Sequence, residues 1–375
     1  MKKNLTTYLL WAIFAFLLAY GCSGITNFPH AIVSPDALKS YMRDIEDKML
    51  RADWERAYQT ALQDSLSVKL PYGEKGSFLT DMSVAYSYNV GLEQGEMLVA
   101  EVAQTNPSQK IFIEILERDG DSFRSVAESG TGQSRLAVSG ESSGIFKVVI
   151  QPQAGAAGDF FISLNKKPLY AFPVSGKGNA SVQSFWGAVR DGGKRSHEGV
   201  DIFARKGTPV VAVADGVIAR TGEFGIGGKQ VWLRTGIFGK SVYYAHLDGI
   251  AVEDGIRVKT GDTLGFVGNT GNAKGGAHHL HFGIYGGSGA VNPLPFIFRT
   301  PDISQKQYSR KFDTSRLKIR TAQGTLRKGP STDYAKIGHT VSGQTVTLLG
   351  QHNSWLHVKT DDGRKAFLHA SLVKA

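Results

Sequence analysis

The sequence predicts a mainly β protein: an N-terminal helix plus a β-sandwich, a central all-β domain and a small C-terminal β-barrel. Glycine is abundant, at 45 of 375 residues. Short apolar or alternating runs recur between turns rich in Gly, Ser and Asp, and few segments have helical periodicity. A chain of this length can form two or three domains with separate cores.

The first 21 residues are predicted to be a lipoprotein signal peptide. Their apolar run, Leu9–Ala19, follows two lysines and is short for a membrane span, which is typical of a secretory signal. Cys22, the only cysteine, ends the stretch LLAYGC, which resembles a lipobox although Tyr20 is bulkier than usual. We expect a mature chain outside the cytoplasm, anchored in a membrane through lipidated Cys22. The alternatives are a signal peptide that happens to contain a cysteine and an uncleaved anchor.

Residues 22–65 are predicted to be an exported segment with one amphipathic helix. Ser34-Pro35 suits a helix start, because serine caps the first turn and proline there loses no hydrogen bond. A face at helical spacing continues to about Asp64 and consists of Leu38, Met42, Ile45, Met49, Trp54, Ala57, Tyr58 and Ala61. We expect this face to pack on its own domain rather than to act as a partner-binding stalk.

Residues 66–168 are predicted to form a β-sandwich-like module. The runs VAYSYNV, MLVAEVA, KIFIEILER, IFKVVIQ and DFFISL are separated by turn residues, as in antiparallel sandwiches of about a hundred residues. The segment has no histidine, no acidic pair at metal spacing and no nucleophile motif, which favours a binding or spacer role. The alternative is a purely structural role.

Three segments complete the chain. Residues 170–298 are predicted to form the central all-β domain, because Gly-rich turns alternate with runs such as TPVVAVADGVIAR and KSVYYAHL. Residues 299–315 are polar and charged, which indicates a linker or a strap along the surface. Residues 316–375 contain short strands and turns, enough for the small barrel.

Chemistry-bearing residues concentrate in the central domain. GNTGNAKGGAHHLHF places His278, His279 and His281 within four residues. On a strand, residues i and i+2 share a face, so His279 and His281 should project together. The upstream candidates are His197 and Asp201 in HEGVD and His246 in YYAHL.

These side chains suit a zinc hydrolase, which needs three His, Asp or Glu ligands and an open position for water. His197 and Asp201 with one histidine of HLH supply that number. The residues alone leave open whether His279 or His281 is the third ligand. The remaining histidines could take a proton from water, donate one to a leaving amine or stabilise an oxyanion.

In this order, the motifs resemble those of the lysostaphin-type zinc metallopeptidases, secreted bacterial endopeptidases that cut peptide cross-links of peptidoglycan. The resemblance covers about residues 180–295 through HEGVD, GTPVVAVADGVI, YAHL, VKTGDTLGFVGNTG and HLHF. It implies one bound zinc ion with the ligands His197, Asp201 and His281, and two catalytic histidines, His246 and His279.

Two departures from the family pattern lie at the rim. The family usually has Pro before HLH, where this chain has His278, which we treat as a rim residue. The stretch RDGGKRS also lacks a tyrosine that some members place near the site, so any oxyanion stabilisation must come from elsewhere. Neither departure removes a ligand.

The C-terminal segment resembles bacterial SH3-type modules through RKGPSTDY, a central Trp and DGR. Such modules often bind cell-wall peptides in secreted hydrolases, so Tyr334 and Trp355 are candidate groove aromatics. The alternative is that these aromatics belong to the core of the barrel. We expect no metal role for the histidines of this region.

Together, these features predict a lipid-anchored zinc endopeptidase of the bacterial cell envelope that hydrolyses amide bonds in peptidoglycan stem or cross-bridge peptides. Ser23 is compatible with outer-membrane sorting in a Gram-negative cell. The net charge of +10 suits an acidic polymer or anionic lipid, and without a nucleic-acid motif we expect no nucleic-acid partner. The alternatives are a catalytically silent regulator of other wall hydrolases, a peptidase acting on an exported protein, and a purely wall-binding lipoprotein.

Overall fold

A computed structural model describes three ranges of the chain, residues 37–140, 142–236 and 239–374. The predicted signal peptide, the lipidated Cys22 and the helix start at Ser34-Pro35 lie outside these ranges. Within them, no helix is both long enough and apolar enough to span a membrane. The described elements are mostly strands, which confirms the predicted mainly β class.

Two helices precede the first strand, where the sequence predicted one. Helix α1 spans Ala37–Asp44 and helix α2 spans Lys48–Gln63. The side chain of Asp47 accepts hydrogen bonds from the backbone N–H groups of Met49 and Leu50, at 2.8 and 3.1 Å. Because Asp47 caps a new helix at this point, the expected single helix is interrupted.

Helix α2 is anchored on the sheets by Trp54, which is 1% exposed. Its indole N–H donates a hydrogen bond to the carbonyl of Pro152 at 2.9 Å. The indole ring meets the ring of Phe112 edge-on, with 5.8 Å between the centroids. The apolar face of the helix therefore packs against its own chain.

Two antiparallel sheets follow the helices. Their strands are β1 (Tyr72–Ser77), β2 (Tyr86–Leu92), β3 (Glu96–Gln104), β4 (Ile111–Asp119), β5 (Ser122–Glu128), β6 (Arg135–Ser139), β7 (Gly144–Pro152) and β8 (Asp159–Pro168). One sheet has the order β2-β7-β4-β5, and the other contains β1, β8, β3 and β6 in that order. Tyr86 on β2 contacts Phe160 on β8 across the two sheets, with 5.0 Å between ring centroids.

A second large sheet forms the central region. Its elements, with a separate β10–β11 hairpin, are β9 (Val182–Ser184), β10 (Val189–Arg190), β11 (Arg195–Ser196), β12 (Val200–Phe203), β13 (Pro209–Val211), β14 (Gly216–Phe224), β15 (Gly228–Thr235), β16 (Ser241–Ile250), β17 (Arg257–Val258), β18 (Thr263–Val267), β19 (His279–Gly286), β20 (Gly289–Val291) and the short helix α3 (Leu294–Ile297). The main strand order is β17-β14-β15-β16-β19-β12-β9, with β18 also paired to β16. Strands β12 and β19 therefore lie side by side, although some eighty residues separate them in sequence.

The strands of the C-terminal barrel continue the sheet that contains β1, β8, β3 and β6. Its strands are β21 (Arg316–Ile319), β22 (Gln323–Arg327), β23 (Lys336–Val341), β24 (Thr345–His352), β25 (Trp355–Lys359), β26 (Lys365–His369) and β27 (Val373–Lys374). Strand β24 joins β1 through the pair Lys75 and Gln351. The preceding strap is fixed to the sandwich, since Arg310 contacts Asp159 at 2.9 Å.

A buried contact between a carboxylate and a histidine holds the barrel to the sandwich. His357 Nδ1 lies 3.0 Å from Glu74 Oε1, and both side chains are 0% exposed. The hydroxyl groups of Tyr72 and Tyr88 donate hydrogen bonds to the other carboxylate oxygen. Burial raises the pKa of Glu74, but His357 and the two hydroxyls outweigh it and hold the pKa below its ordinary value. The barrel and the sandwich therefore share a charged core contact.

The candidate groove aromatics of the barrel make contacts within the chain. A Cβ atom added to Gly329 would lie 2.5 Å from the ring of Tyr334 and 2.3 Å from the carbonyl oxygen of Ser67. The carbonyl oxygen of Lys328 accepts a hydrogen bond from the Ser67 N–H at 2.9 Å. The surroundings of Tyr334 are thus partly filled by the start of the sandwich module. Trp355 packs edge-on against a histidine ring of the barrel.

Candidate metal centre and catalytic cleft

The pairing of β12 with β19 brings the candidate ligands together. Asp201 lies opposite His281, and Phe203 lies opposite His279. Alternation along β19 turns Leu280 into the core, where it is 0% exposed, and leaves both histidines on the other face. The predicted projection of His279 and His281 to one side is therefore observed, since both line the same cleft.

Three side chains present their ligand atoms to one point. His197 Nε2 lies 3.0 Å from Asp201 Oδ1 and 3.0 Å from His281 Nδ1, and the latter two atoms are 3.1 Å apart. Ligand atoms of a tetrahedral zinc site are about 3.3–3.6 Å apart when their bonds are about 2.0–2.2 Å long. The observed separations of 3.0–3.1 Å are a little shorter, so a small outward shift of these two imidazole nitrogens and one carboxylate oxygen would fit a zinc ion. Among the described residues they form a group able to hold a metal.

The ionisation of these groups suits metal binding. Burial raises the pKa of Asp201, but hydrogen bonds with His197 and His281 outweigh it, so the pKa falls well below its usual range. Burial lowers the pKa of His281. An ionised carboxylate and a neutral imidazole are the states that a metal requires of such ligands.

The orientation of the His197 ring is fixed from behind. Its Nδ1 lies 2.9 Å from the carbonyl oxygen of Phe185, so Nδ1 carries the proton and donates a hydrogen bond. The other ring nitrogen, Nε2, is left for the metal. Such an outer partner fixes both the tautomer and the direction of a ligating histidine.

His246 lies beside the three candidate ligands and has a strained backbone conformation. Its φ is 62°, at the point where β16 stops pairing with β19 at Ala245 and begins pairing with β18 at Leu247. A non-glycine residue in this region costs about 1–3 kcal/mol. Burial, reinforced by the neighbouring histidines, lowers the pKa of His246 to about 4, so its imidazole is neutral near pH 7.

His246 and His279 both use ring nitrogen Nδ1 to contact a backbone carbonyl. His246 Nδ1 donates to the carbonyl oxygen of Thr270 at 2.9 Å, and His279 Nδ1 donates to that of Ala277 at 2.8 Å. In each ring the backbone contact occupies Nδ1 and leaves Nε2 to face the cleft. His279 Nε2 lies 4.0 Å from Asp201 Oδ1, and the two catalytic candidates have ring centroids 5.1 Å apart.

These groups open into a cleft of about 780 Å³, within the size range of ligand sites. The β10–β11 hairpin contributes basic side chains to its lining, and Trp232, Tyr243 and Tyr285 contribute an aromatic wall. The stretch before HEGVD lacks the tyrosine that some family members have, but Tyr243 places a tyrosine ring near the site. Its ring centroid lies 5.8 Å from that of His281. Its hydroxyl group donates to Gln230. His278, treated as a rim residue in the sequence, is not among the residues that line this cleft.

Sequence reasoning missed two residues that support the ligands. Arg190 Nη2 lies 2.7 Å from Asp201 Oδ2, and nothing in the stretch RDGGKRS signals this contact. Gly199 packs so closely on His281 that an added Cβ would lie 2.6 Å from its ring. The glycine in HEGVD carried that signal, but its partner was visible only in the fold.

Comparison with known proteins accounts for this geometry. The model of peptidase family M23 matches residues 195–293, which include every candidate ligand and catalytic histidine. Residues 195–293 of the central region therefore match an M23 peptidase domain. A bacterial SH3 domain matches residues 322–374. Both resemblances stated from the motifs are therefore confirmed.

The M23 domain has relatives among characterised proteins. An L-Ala–D-Glu endopeptidase of Bacillus subtilis is 38% identical over 140 residues, which cover 34% of this chain and 43% of the relative. The DD-carboxypeptidase/endopeptidase Mpg of Neisseria meningitidis is 40% identical over 111 residues, covering 30% and 25%. Lysostaphin of Staphylococcus simulans is 29% identical over 199 residues, covering 46% and 40%. The chain thus spans less than half the length of each of these relatives.

Proposed function

We propose that this protein is a zinc-dependent endopeptidase that hydrolyses amide bonds in the stem or cross-bridge peptides of peptidoglycan. We further propose that it is exported and anchored as a lipoprotein through Cys22. The endopeptidase proposal is supported by the relatives, two of which are named an L-Ala–D-Glu endopeptidase and a DD-carboxypeptidase/endopeptidase. The anchor is supported only by the sequence around Cys22.

One observation carries the proposal. The ligand atoms of His197, Asp201 and His281 are within 3.1 Å of one another, and two further histidines stand beside them in an open cleft. A zinc ion held by these three side chains would supply Lewis-acid activation of water and of the amide carbonyl. A silent relative would be expected to have lost one of these five side chains, and none is missing.

His246 and His279 would handle the protons of the reaction. Each holds its Nδ1 proton against a backbone carbonyl oxygen, which leaves Nε2 to face the cleft. A neutral imidazole can accept the proton that the attacking water must lose. The resulting imidazolium can donate that proton to the leaving amine nitrogen. Proton transfer by a positioned group of this kind contributes about 10²–10⁴-fold to a rate.

The cleft favours an extended peptide with small side chains. Gly227, Ala245 and Ala273 line the cleft with small side chains, which leaves room for a peptide backbone. Trp232 and Tyr285 add an apolar aromatic surface. Basic side chains of the β10–β11 hairpin suit a substrate that carries carboxylates, as peptidoglycan stem peptides do. The SH3 domain would contribute wall affinity only through surfaces that the sandwich does not cover.

Digestion of purified peptidoglycan and of an unfolded soluble protein would test the proposal. The zinc-loaded chain should release peptide fragments from the wall polymer and leave the soluble protein intact. Asp201→Ala, which lacks a proposed ligand, is the matched control and should release none. Cleavage of the soluble protein with an intact wall polymer would refute the proposed substrate. For the anchor, Cys22→Ser should move the protein from the membrane fraction to the soluble fraction.

A further inference from the structure

Arg190 connects Asp201, one of the three proposed metal ligands, to Ser184 on strand β9. It ends β10, eleven residues before Asp201. Its Nη2 lies 2.7 Å from Asp201 Oδ2 and 2.6 Å from Ser184 Oγ. Its side chain is 34% exposed, whereas that of Asp201 is 10% exposed. Arg190 therefore reaches from the cleft into a nearly buried part of the site.

The two oxygens of Asp201 have separate partners. Oδ1 faces the ligand nitrogens of His197 and His281, at 3.0 and 3.1 Å. Oδ2 faces away from them and accepts the hydrogen bond from Arg190. We propose that Arg190 is a positioning residue for the metal centre, holding Asp201 so that only Oδ1 is offered to the ion. This inference rests on the proposed zinc function.

A catalytic zinc site depends on such a division. Three protein ligands leave one position for water, and a carboxylate that used both oxygens would compete for that position. A guanidinium–carboxylate hydrogen bond is charge-assisted and about twice as strong as a neutral one. It can therefore keep Oδ2 occupied. Loss of an outer partner of this kind typically costs about 10–100-fold in metal affinity or activity.

The second contact of Arg190 ties it to the sheet that carries the ligands. Ser184 pairs with Asp201 between β9 and β12, and its Oγ lies 3.4 Å from His197 Nδ1. The guanidinium group thus sits on the strand that supports two of the three ligands. Its position is set by the sheet rather than by the exposed part of the hairpin.

A contact with substrate is the competing role, since Arg190 also lines the cleft. The two roles differ in what a variant changes. A residue that only binds substrate affects KM and leaves the affinity for zinc unchanged. A residue that positions Asp201 affects the affinity for zinc even when no substrate is present.

Zinc affinity of the full-length protein, measured by competition with a chelator, tests the inference. Arg190→Ala is expected to bind zinc about 10–100-fold more weakly than the wild type. Arg190→Lys, which keeps a charged donor, should recover part of the loss. Lys194→Ala, which removes a positive charge from the same hairpin, should retain wild-type zinc affinity. Thermal unfolding of each metal-free variant would show that it folds.

Several results would overturn the inference. Wild-type zinc affinity in Arg190→Ala, with or without a raised KM, would refute the positioning role and leave the proposed function standing. If Arg190→Ala does not fold, Arg190→Gln takes its place and must also bind zinc about tenfold or more weakly. Failure of the wild-type protein to retain one zinc ion would refute the proposed function together with this inference.

Discussion

Gly199 is the position where a single methyl group should damage the metal centre. A Cβ atom added there would lie 2.6 Å from His281 Cε1, 2.8 Å from His281 Nε2 and 2.7 Å from the carbonyl oxygen of Phe282. The φ of Gly199 is not positive, so alanine fits the backbone and the effect is steric. Ordinary contact begins at 3.4 Å. The imidazole of His281 must therefore move by roughly 0.8 Å to go from 2.6 Å to 3.4 Å, or β12 and β19 must separate.

A displacement of this size is large compared with the tolerance of a zinc site. Zinc–nitrogen bonds are about 2.0–2.1 Å long, and workable ligands stay within about 0.2 Å of that length. Gly199→Ala should therefore weaken zinc binding by about 100-fold, the upper end of the effect of disturbing a ligand's support. Overpacking should also cost about 1–3 kcal/mol of the free energy of unfolding.

Chelator competition and thermal unfolding would measure both effects. Gly287→Ala is the matched control. Gly287 directly follows β19, the strand that carries His281, and an added Cβ there meets nothing within 4 Å. The control should behave as wild type in both assays. Zinc affinity of Gly199→Ala within twofold of wild type would show that the close packing against His281 does not position the ligand.

Three other predictions follow from the same contacts. His281→Ala should lose bound zinc in a metal-content assay, and full zinc retention would remove it from the ligand set. His246→Ala should keep zinc but lose about 10²–10⁴-fold in kcat; loss of the metal in this variant would contradict its assigned role. Glu74→Ala should lower the free energy of unfolding by about 1–3 kcal/mol for each buried donor left unsatisfied, since Tyr72, Tyr88 and His357 lose their shared acceptor. An unchanged urea midpoint for Glu74→Ala would show that this buried pair does not hold the barrel to the sandwich.

Local patterns predicted most of the side chains that the fold brings together in the candidate site. Alternation along HLHF placed His279 and His281 on one face, because the side-chain period of a strand is fixed by its pleat. The clustering of His197, Asp201 and His246 upstream indicated the remaining candidates, and the family resemblance implied their roles. The residues alone did not decide between the two histidines as ligand. That choice depends on Asp201 lying opposite His281, which is a matter of strand register.

Contacts between distant segments could not be predicted from the sequence. Glu74 and His357 are 283 positions apart, and no periodicity links them. The positive φ of His246 arises where its strand changes partners, which a local pattern does not encode. The capping side chain of Asp47 was a local signal, but the apolar spacing continued past it and favoured one long helix.

Mass analysis of the muropeptides released from purified peptidoglycan tests the central claim most directly. The zinc-loaded full-length protein should convert cross-linked or stem-bearing muropeptides to products that differ by hydrolysis of one defined amide bond. His246→Ala, loaded with zinc in the same way, should leave them intact. An unchanged muropeptide profile with wild-type protein that has one zinc ion bound would contradict the account.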